Sequence, residues 1–482
     1  MTPTFVTTDL MILSPEILIV TMSCLILAID AYLPDQMRNL TYQLSQGTLI
    51  GTALLVLLTD PPQRLLAMNG MFVIDSMATI LKFVALIIVF LAFLYSRAYL
   101  KDRQMFKGEY FVLGLFATVG MMIMISAHTL LTIYLGLELL SLSLYTMVAM
   151  HRDSPTATEA AMKYFVLGAL ASGMLLYGIS ILYGLTGTLD LTTLATIIAS
   201  PDFGNHTLLI FGLVFIVVGL AFKLGAVPFH VWIPDVYQGA PTAVTLFISS
   251  APKLAAFAIL MRVLVDGLQP IAVDWQQILI LLSILSMATG NLIAIAQTNL
   301  KRMLAYSTIA HVGYLMLGVL TATPAGYAAS MFYVVVYSLM SLGSFGIIIL
   351  LSRAGFEAEN ISHLKGLNER SSWYAFMMLI LMLSMAGVPP LLGFWAKLSV
   401  LTQVVQADLV WLAVLAVIFA IIGAFYYLRI IWMMYFEKAD DTTPICAKMD
   451  FKIALSANAL VILLLGLAPH ALIQMCKQAL GV

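Results

Sequence analysis

An all-α, polytopic membrane protein is the fold class this sequence predicts. Three observations predict it. Hydrophobic residues make up 62% of its 482 residues and charged residues only 10%; the mean hydropathy is +1.02; and apolar runs long enough to cross a hydrocarbon core of about 30 Å recur from one end to the other. Soluble domains carry roughly 25% charged and about 45–50% apolar residues. The 23 basic and 24 acidic side chains here cannot cover a water-facing surface of this size. The near balance of charge also argues against a nucleic-acid partner, which needs a basic footprint.

Fourteen apolar runs read as spans, at 13–33, 42–59, 72–95, 110–126, 129–150, 160–184, 207–233, 241–261, 275–296, 303–322, 325–352, 372–403, 408–434 and 452–475. No basic region precedes the first, which reads as a retained span and not a cleaved signal. Lys and Arg supply an independent check, because they collect in alternate loops on the inner side. With the N-terminus outside, the inner loops hold Arg38, the Arg97 to Lys107 group, Arg152, Lys301 and Arg302, the Arg353 to Arg370 group, and Lys438, Lys448 and Lys452. Outer segments hold Arg64, Arg262 and Lys477. Both termini are therefore expected outside, on a single transmembrane domain covering 1–482.

Six basic residues remain inside spans: Lys82, Lys163, Lys223, Lys253, Lys397 and Arg429. A cation near the bilayer centre costs at least about 2.5–3.5 kcal/mol, so it normally faces the bundle interior with a partner or water. Glu138 lies mid-span, too deep to snorkel, on a polar stripe of Tyr134, Glu138, Ser141 and Tyr145. It reads as a functional carboxylate or as an ion-pair anchor between helices. Lys223 precedes Gly225-Ala226-Val227-Pro228. Pro228 cannot donate to the carbonyl of Leu224, which predicts a broken helix beside the lysine. Broken helices are tolerated at this depth where they line a cavity, and they recur in ion-coupled transporters.

Lys397 follows a second break, Gly387-Val388-Pro389-Pro390. The two discontinuous helices are five spans apart, an odd number that reverses membrane direction. They read as matching parts of inverted repeats of five helices, spans 4 to 8 (110–261) and 9 to 13 (275–434). Lys253 shares a helix face with Thr242 and Ser249, a track water can follow, and Ser307, His311 and Tyr314 share another. His311 and His230 read equally as relay groups or as satisfied core histidines. Glu159 and Lys163, at i and i+4, are an interface salt bridge or a proton entry. Lys82 and Arg429 lie near span ends and read as snorkelling, with Asp75 placed to compensate Lys82.

A carboxylate, deep lysines and histidines exchange protons; no nucleophile with its base stands among them. Cys24, Cys446 and Cys476 are too far apart for a zinc or iron–sulfur motif. No phosphate-binding GxxxxGK[ST] loop is present, so the driving energy is expected from a partner. If Glu138 approaches Lys223 the ammonium is stabilised; if it withdraws, Lys223 holds its proton poorly and passes it towards Lys253.

The stretches Phe222 to Pro241 (FKLGAVPFHVWIPDVYQGAP) and Gln297 to Tyr314 (QTNLKRMLAYSTIAHVGY) carry a family likeness. The chain resembles the N-type subunits of bacterial proton-pumping NADH:quinone oxidoreductase, respiratory complex I, in the antiporter-like superfamily. That resemblance implies that Glu138 and Lys223 are the fifth- and seventh-helix ion pair, Lys253 the bridging lysine and Lys397 the residue near the exit. It implies that NADH, FMN, iron–sulfur clusters and quinone sit on partner subunits and that this chain binds none of them. The expected neighbours are other membrane-arm subunits and lipid, in a bacterial inner membrane. A stand-alone or Mrp-type cation/proton antiporter, and a passive structural subunit, are the alternatives.

Overall fold

In the computed structural model the described residues are 7–61, 63–441, 443–445 and 447–482. Cys446 lies outside them. The chain opens with α1 (Thr7–Ile12), α2 (Ser14–Asp30) and α3 (Asn39–Leu58). A short antiparallel hairpin follows, β1 (Leu65–Ala67) and β2 (Phe72–Ile74), with Leu65 opposite Ile74. Beyond it come α4 (Ser76–Asp102), α5 (Gly108–Ser126), α6 (Leu130–Val148), α7 (Pro155–Thr186), α8 (Leu191–Ile198), α9 (His206–Leu224), α10 (Trp232–Gly239), α11 (Thr242–Ser249) and α12 (Ala251–Met261). The rest comprises α13 (Ala272–Ile295), α14 (Leu300–Val319), α15 (Pro324–Leu351), α16 (Leu367–Arg370), α17 (Ser372–Ala386), α18 (Leu392–Gln406), α19 (Val410–Tyr435), α20 (Met449–Leu467) and α21 (His470–Ala479).

The architecture is mostly helical, and among the described residues 10 helices are long and apolar enough to cross a membrane. The hairpin corrects the all-α expectation locally. Residues 72–74, placed at the start of the third span, pair with β1 instead. The helix begins only at Ser76, because Asp75 caps it by accepting from the Ala78 amide at 2.9 Å. Thr129 and Asn299 likewise cap α6 and α14.

Two helix pairs pack at unusually short range. A Cβ on Gly120 of α5 would lie 2.6 Å from the Leu140 amide nitrogen and 2.8 Å from the Gly136 carbonyl of α6. A Cβ on Gly290 of α13 would lie 2.5 Å from the Ala310 nitrogen and 2.7 Å from the Tyr306 carbonyl of α14. Only glycine allows backbones this close, the usual means by which helices associate where lipid removes the hydrophobic drive. The matching extends to the loops: Thr129 bridges Asp190 and Asn299 bridges Asn360, both antiparallel. The offset between the two bridges equals the offset between Gly120 and Gly290.

At the centre stands α15, apolar on every side and buried along nearly its whole length. It packs on α4, α11, α12, α14, α17 and α18, and so joins the helices that carry Lys82, Lys253, His311 and Lys397, while α9 with Lys223 reaches it through α12.

Candidate functional site

At the first break the Ala221, Phe222 and Leu224 carbonyls each find a donor. Helix α9 ends in a left-handed Gly225, φ +86°. The Gly225 and Ala226 amides both donate back to the Ala221 carbonyl at 2.8 Å, a Schellman-type stop. The Phe222 carbonyl accepts from Trp232 Nε1 at 3.0 Å, and the Val227 amide donates to Ser286 Oγ at 2.9 Å. The Leu224 carbonyl accepts from Lys253 Nζ at 2.8 Å. Helix α17 ends in the same way at Gly387, φ +88°, with the Gly387 and Val388 amides donating to the Leu383 carbonyl at 3.0 Å. Lys397 Nζ donates to the Met385 carbonyl at 3.0 Å and the Ala386 carbonyl at 2.8 Å. Both predicted discontinuities therefore fall where the glycine and proline placed them.

An L side chain at position 225 is strained, and its Cβ would lie 1.9 Å from Ile233 Cδ1. At Gly187, φ +69°, nothing lies within 4 Å of that position. Gly187→Ala is expected to cost only the left-handed penalty of about 1–2 kcal/mol. Gly225→Ala is expected to cost more, read as a larger fall in the thermal midpoint of the purified protein. Equal falls would show that Ile233 yields freely.

Lys223 is 9% exposed and donates to Ser141 Oγ at 2.8 Å, while the Ser141 hydroxyl donates to the Leu137 carbonyl at 2.6 Å. The resemblance implied an ion pair with Glu138. Among the described residues no such pair is closed; Glu138 Oε1 is buried without a hydrogen-bond partner in the chain. Glu138 and Ser141 are one turn apart on one face of α6, so the serine that accepts from Lys223 has a carboxylate as its neighbour. Beside it lies a small cavity lined by Ser141, Tyr145, Ser172 and Lys223, with about 10 Å³ of space for a water centre, roughly one water.

Lys253, 3% exposed, also faces the Trp232 ring at 5.8 Å. The face it was expected to share with Thr242 and Ser249 is interrupted at Ser250, where α11 gives way to α12. Thr242 turns instead to the Glu357 carboxylate. His311 is bonded at both ring nitrogens, Nδ1 to the Tyr333 hydroxyl at 2.7 Å and Nε2 to the Tyr427 hydroxyl at 3.1 Å. Tyr427 also meets Ser307, whereas Tyr314 keeps its ring beside His311 and Tyr333 but donates its hydroxyl to the Ala416 carbonyl at 3.0 Å. His230 lies half-buried in the first break with Nδ1 unpartnered.

Lys163 sits apart from these groups, exposed, in ion pairs with Glu159 at 2.8 Å and Asp235 at 2.7 Å; Arg302 shares Asp235 at 2.8 Å. Glu159, Lys163 and Asp235 line the mouth of a cavity of about 290 Å³. A neighbouring cavity of about 480 Å³ holds Arg103, Lys301 and Glu357. Lys301 was read as a loop charge but is only 2% exposed, donating to the Ala240 carbonyl at 2.7 Å.

The family described as NADH:quinone oxidoreductase/Mrp antiporter, TM, matches residues 127–423, the stretch that holds Glu138, Lys223, Lys253, His311 and Lys397. A protein of Thioalkalivibrio sulfidiphilus named NADH-quinone oxidoreductase subunit N is 56% identical over 478 residues, 99% of this chain and 100% of that one. Its counterpart in Thiobacillus denitrificans is 56% identical over 97% of this chain and 96% of that one. The chain belongs to the NADH-quinone oxidoreductase subunit N family. A chain of respiratory complex I from Thermus thermophilus with bound aureothin superposes with a TM-score of 0.83 at 31% identity, covering 95% of this chain and 98% of that one. A chain of the Mrp complex from Dietzia sp. DQ12-45-1b shares the fold, with a TM-score of 0.86 at 20% identity, covering 100% and 97%.

One expectation about this subunit N family chain is corrected. Lys82 does not snorkel and is not served by Asp75. It is buried against Glu16 of α2, while Asp75 holds Arg262 through two bonds of 2.7 and 2.8 Å. Arg429 is half-buried near the end of α19 and donates to the Ile295 and Gln297 carbonyls at the end of α13. Among the described residues no group of three or more His, Cys, Asp or Glu is arranged to hold a metal ion.

Proposed function

We propose that this chain is a proton-translocating membrane subunit of a bacterial NADH:quinone oxidoreductase, moving H⁺ through buried Glu, Lys and His groups while quinone is reduced in other subunits. The observation that carries this reading is the enclosure of Lys223, Lys253, Lys397, Glu138 and His311 inside an apolar bundle of the subunit N family. The cargo that such groups can take up and pass on is the proton.

In this reading Lys223 alternates between Ser141 and Glu138. Seated on Glu138 the ammonium is neutralised by a neighbour; seated on Ser141 it has a neutral acceptor and releases its proton through water towards Lys253. His311 takes a proton at one ring nitrogen and gives one up at the other, with Tyr333 and Tyr427 as its immediate partners. Lys397 serves the exit, His230 a branch at the first break, and Lys163 the entry beside Glu159 and Asp235.

The layout proposed around them has 14 transmembrane helices in one domain covering 1–482, both termini on the outer side of the inner membrane. The five-helix inverted repeats cover 110–261 and 275–434. The paired glycine contacts, the paired loop bridges and the two left-handed glycine stops support the repeats. NADH, FMN, iron–sulfur clusters and quinone are assigned to partner subunits, and the neighbours to other membrane-arm subunits and lipid.

The test is Glu138→Gln in the intact complex reconstituted in vesicles. The amide keeps the shape but cannot neutralise Lys223. Protons moved per NADH oxidised are expected to fall while the complex still assembles. Unchanged translocation would remove Glu138 from the mechanism.

A further inference from the structure

We propose that Lys253 and Lys397 are latches on the two helix breaks: Lys253 holds one backbone carbonyl that its break has released and Lys397 holds two, and loss of the ammonium proton loosens that break. The inference rests on the reading of these lysines as proton carriers and adds what proton occupancy does to the backbone.

Three features recur at both sites. Each helix stops at a left-handed glycine, Gly225 or Gly387, with the same pair of backward amide bonds. Each stop leaves carbonyls without a helical donor, Leu224 at the first and Met385 and Ala386 at the second. Each of these accepts from a lysine Nζ at 2.8–3.0 Å. The lysine also packs on the glycine itself. A Cβ at position 225 would lie 3.9 Å from Lys253 Nζ, and one at 387 would lie 2.9 Å from Lys397 Cδ.

This changes the correspondence drawn from sequence, in which Lys223 and Lys397 were the matched pair because each lies beside a break. By contact, Lys397 corresponds to Lys253. Lys223 holds a serine hydroxyl and leaves the backbone alone.

Physical chemistry makes such a contact depend on the proton. A hydrogen bond from an ammonium is roughly twice as strong as one from a neutral donor. When the proton leaves, the carbonyls keep at best a weak partner in surroundings with little water, and alternatives to the broken-helix geometry become accessible. The remaining groups facing Lys253 are the Trp232 ring and, as charged neighbour, Lys223. Those facing Lys397 are the Tyr314 ring at 5.2 Å and His311. None of these four is a carboxylate that would hold either ammonium in place of the backbone. Proton transfer and backbone movement are thereby linked at two points, each beside a glycine able to act as a hinge.

The experiment is hydrogen–deuterium exchange on the intact complex, following the peptide over residues 385–392. In Lys397→Met the exchange of the Gly387 and Val388 amides is expected to rise about tenfold, as befits loss of charge-assisted bonds. Lys223→Met is expected to leave exchange there unchanged in the resting complex. In the unmodified complex, exchange at the same amides is expected to rise during NADH-driven turnover relative to rest. Unchanged exchange in Lys397→Met, or no rise during turnover, would overturn the latch. If Lys397→Met does not assemble, the turnover comparison decides alone. Failure of the translocation reading shows separately, as normal pumping by Glu138→Gln and Lys223→Met vesicles.

Discussion

Lys223→Arg is expected to assemble normally and yet lose proton transfer through this chain, by about 10²-fold, the usual contribution of a positioned proton-transfer group. Arginine keeps the positive charge and can still donate to Ser141, but it is not deprotonated in proteins. It therefore separates two roles that alanine or methionine would remove together. If Lys223 only ties α9 to α6, arginine substitutes for it and translocation persists. If Lys223 carries the proton, the variant is as inactive as Lys223→Met although its charge is intact. The measurement is vesicle acidification per NADH oxidised, with the recovered amount of assembled complex as the control for folding. Near-normal acidification by the arginine variant would make Lys223 a fixed charge.

The effect is expected to be large because of where the lysine ends. Its acceptor, Ser141, is already committed to the Leu137 carbonyl and so offers Nζ a neutral oxygen only. Glu138, one turn away on the same face, has a buried oxygen without a hydrogen-bond partner. A buried ammonium with one neutral acceptor and an unengaged carboxylate nearby is poised between two arrangements, which is what a switch requires. A guanidinium on the same backbone position would fix the charge in either seat.

What was legible in the sequence follows from which interactions are local. The breaks at Gly225 and Gly387 could be read because glycine and proline act through their own backbone within a few residues. The stripe that gives Lys223 its seat could be read because residues at helical spacing share a face. The caps at Asp75, Thr129 and Asn299 are equally local, with donor and acceptor three residues apart, yet they went unread, and Asp75 was assigned to Lys82 instead.

The missed features join residues far apart in the chain. His311, Tyr333 and Tyr427 come from three helices, and two of the three are tyrosines indistinguishable in sequence from packing residues. Lys253 and Lys397 were noticed for their charge, but their acceptors are carbonyls, which every residue carries. Lys301 was counted with the loops because charge counting follows position along the chain and takes no account of burial. The β1–β2 hairpin has strands of three residues, too short for an alternating pattern to emerge. The interruption at Ser250 has no glycine, but Pro252 at the start of α12 marks it, a local signal that was passed over.

The Glu16–Lys82 pair shows most clearly what position alone conceals, and it yields the largest expected change in stability. Lys82 is 4% exposed and Glu16 7%; they join α4 to α2, outside both proposed repeats. Neither carboxylate oxygen of Glu16 has a further hydrogen-bond partner in the chain. Taking away one partner leaves the other buried and uncompensated, so Glu16→Leu and Lys82→Met are each expected to destabilise by about 3–5 kcal/mol. The double variant puts two apolar side chains of similar volume in their place, and it is expected to be neutral or more stable than the parent by about 1–4 kcal/mol. The check is a double-mutant cycle on thermal or denaturant unfolding of the purified protein, in which strong non-additivity is the signature. Additive single effects below about 1 kcal/mol would mean that the two charges are hydrated and act independently. Translocation supplies the second readout. Because this pair holds helices together and is absent from the route proposed through Lys223, Lys253 and Lys397, the double variant is expected to pump normally. That outcome would separate burial from proton carrying: Glu16 and Lys82 satisfy each other, whereas Lys223 rests on a serine with a carboxylate within one turn.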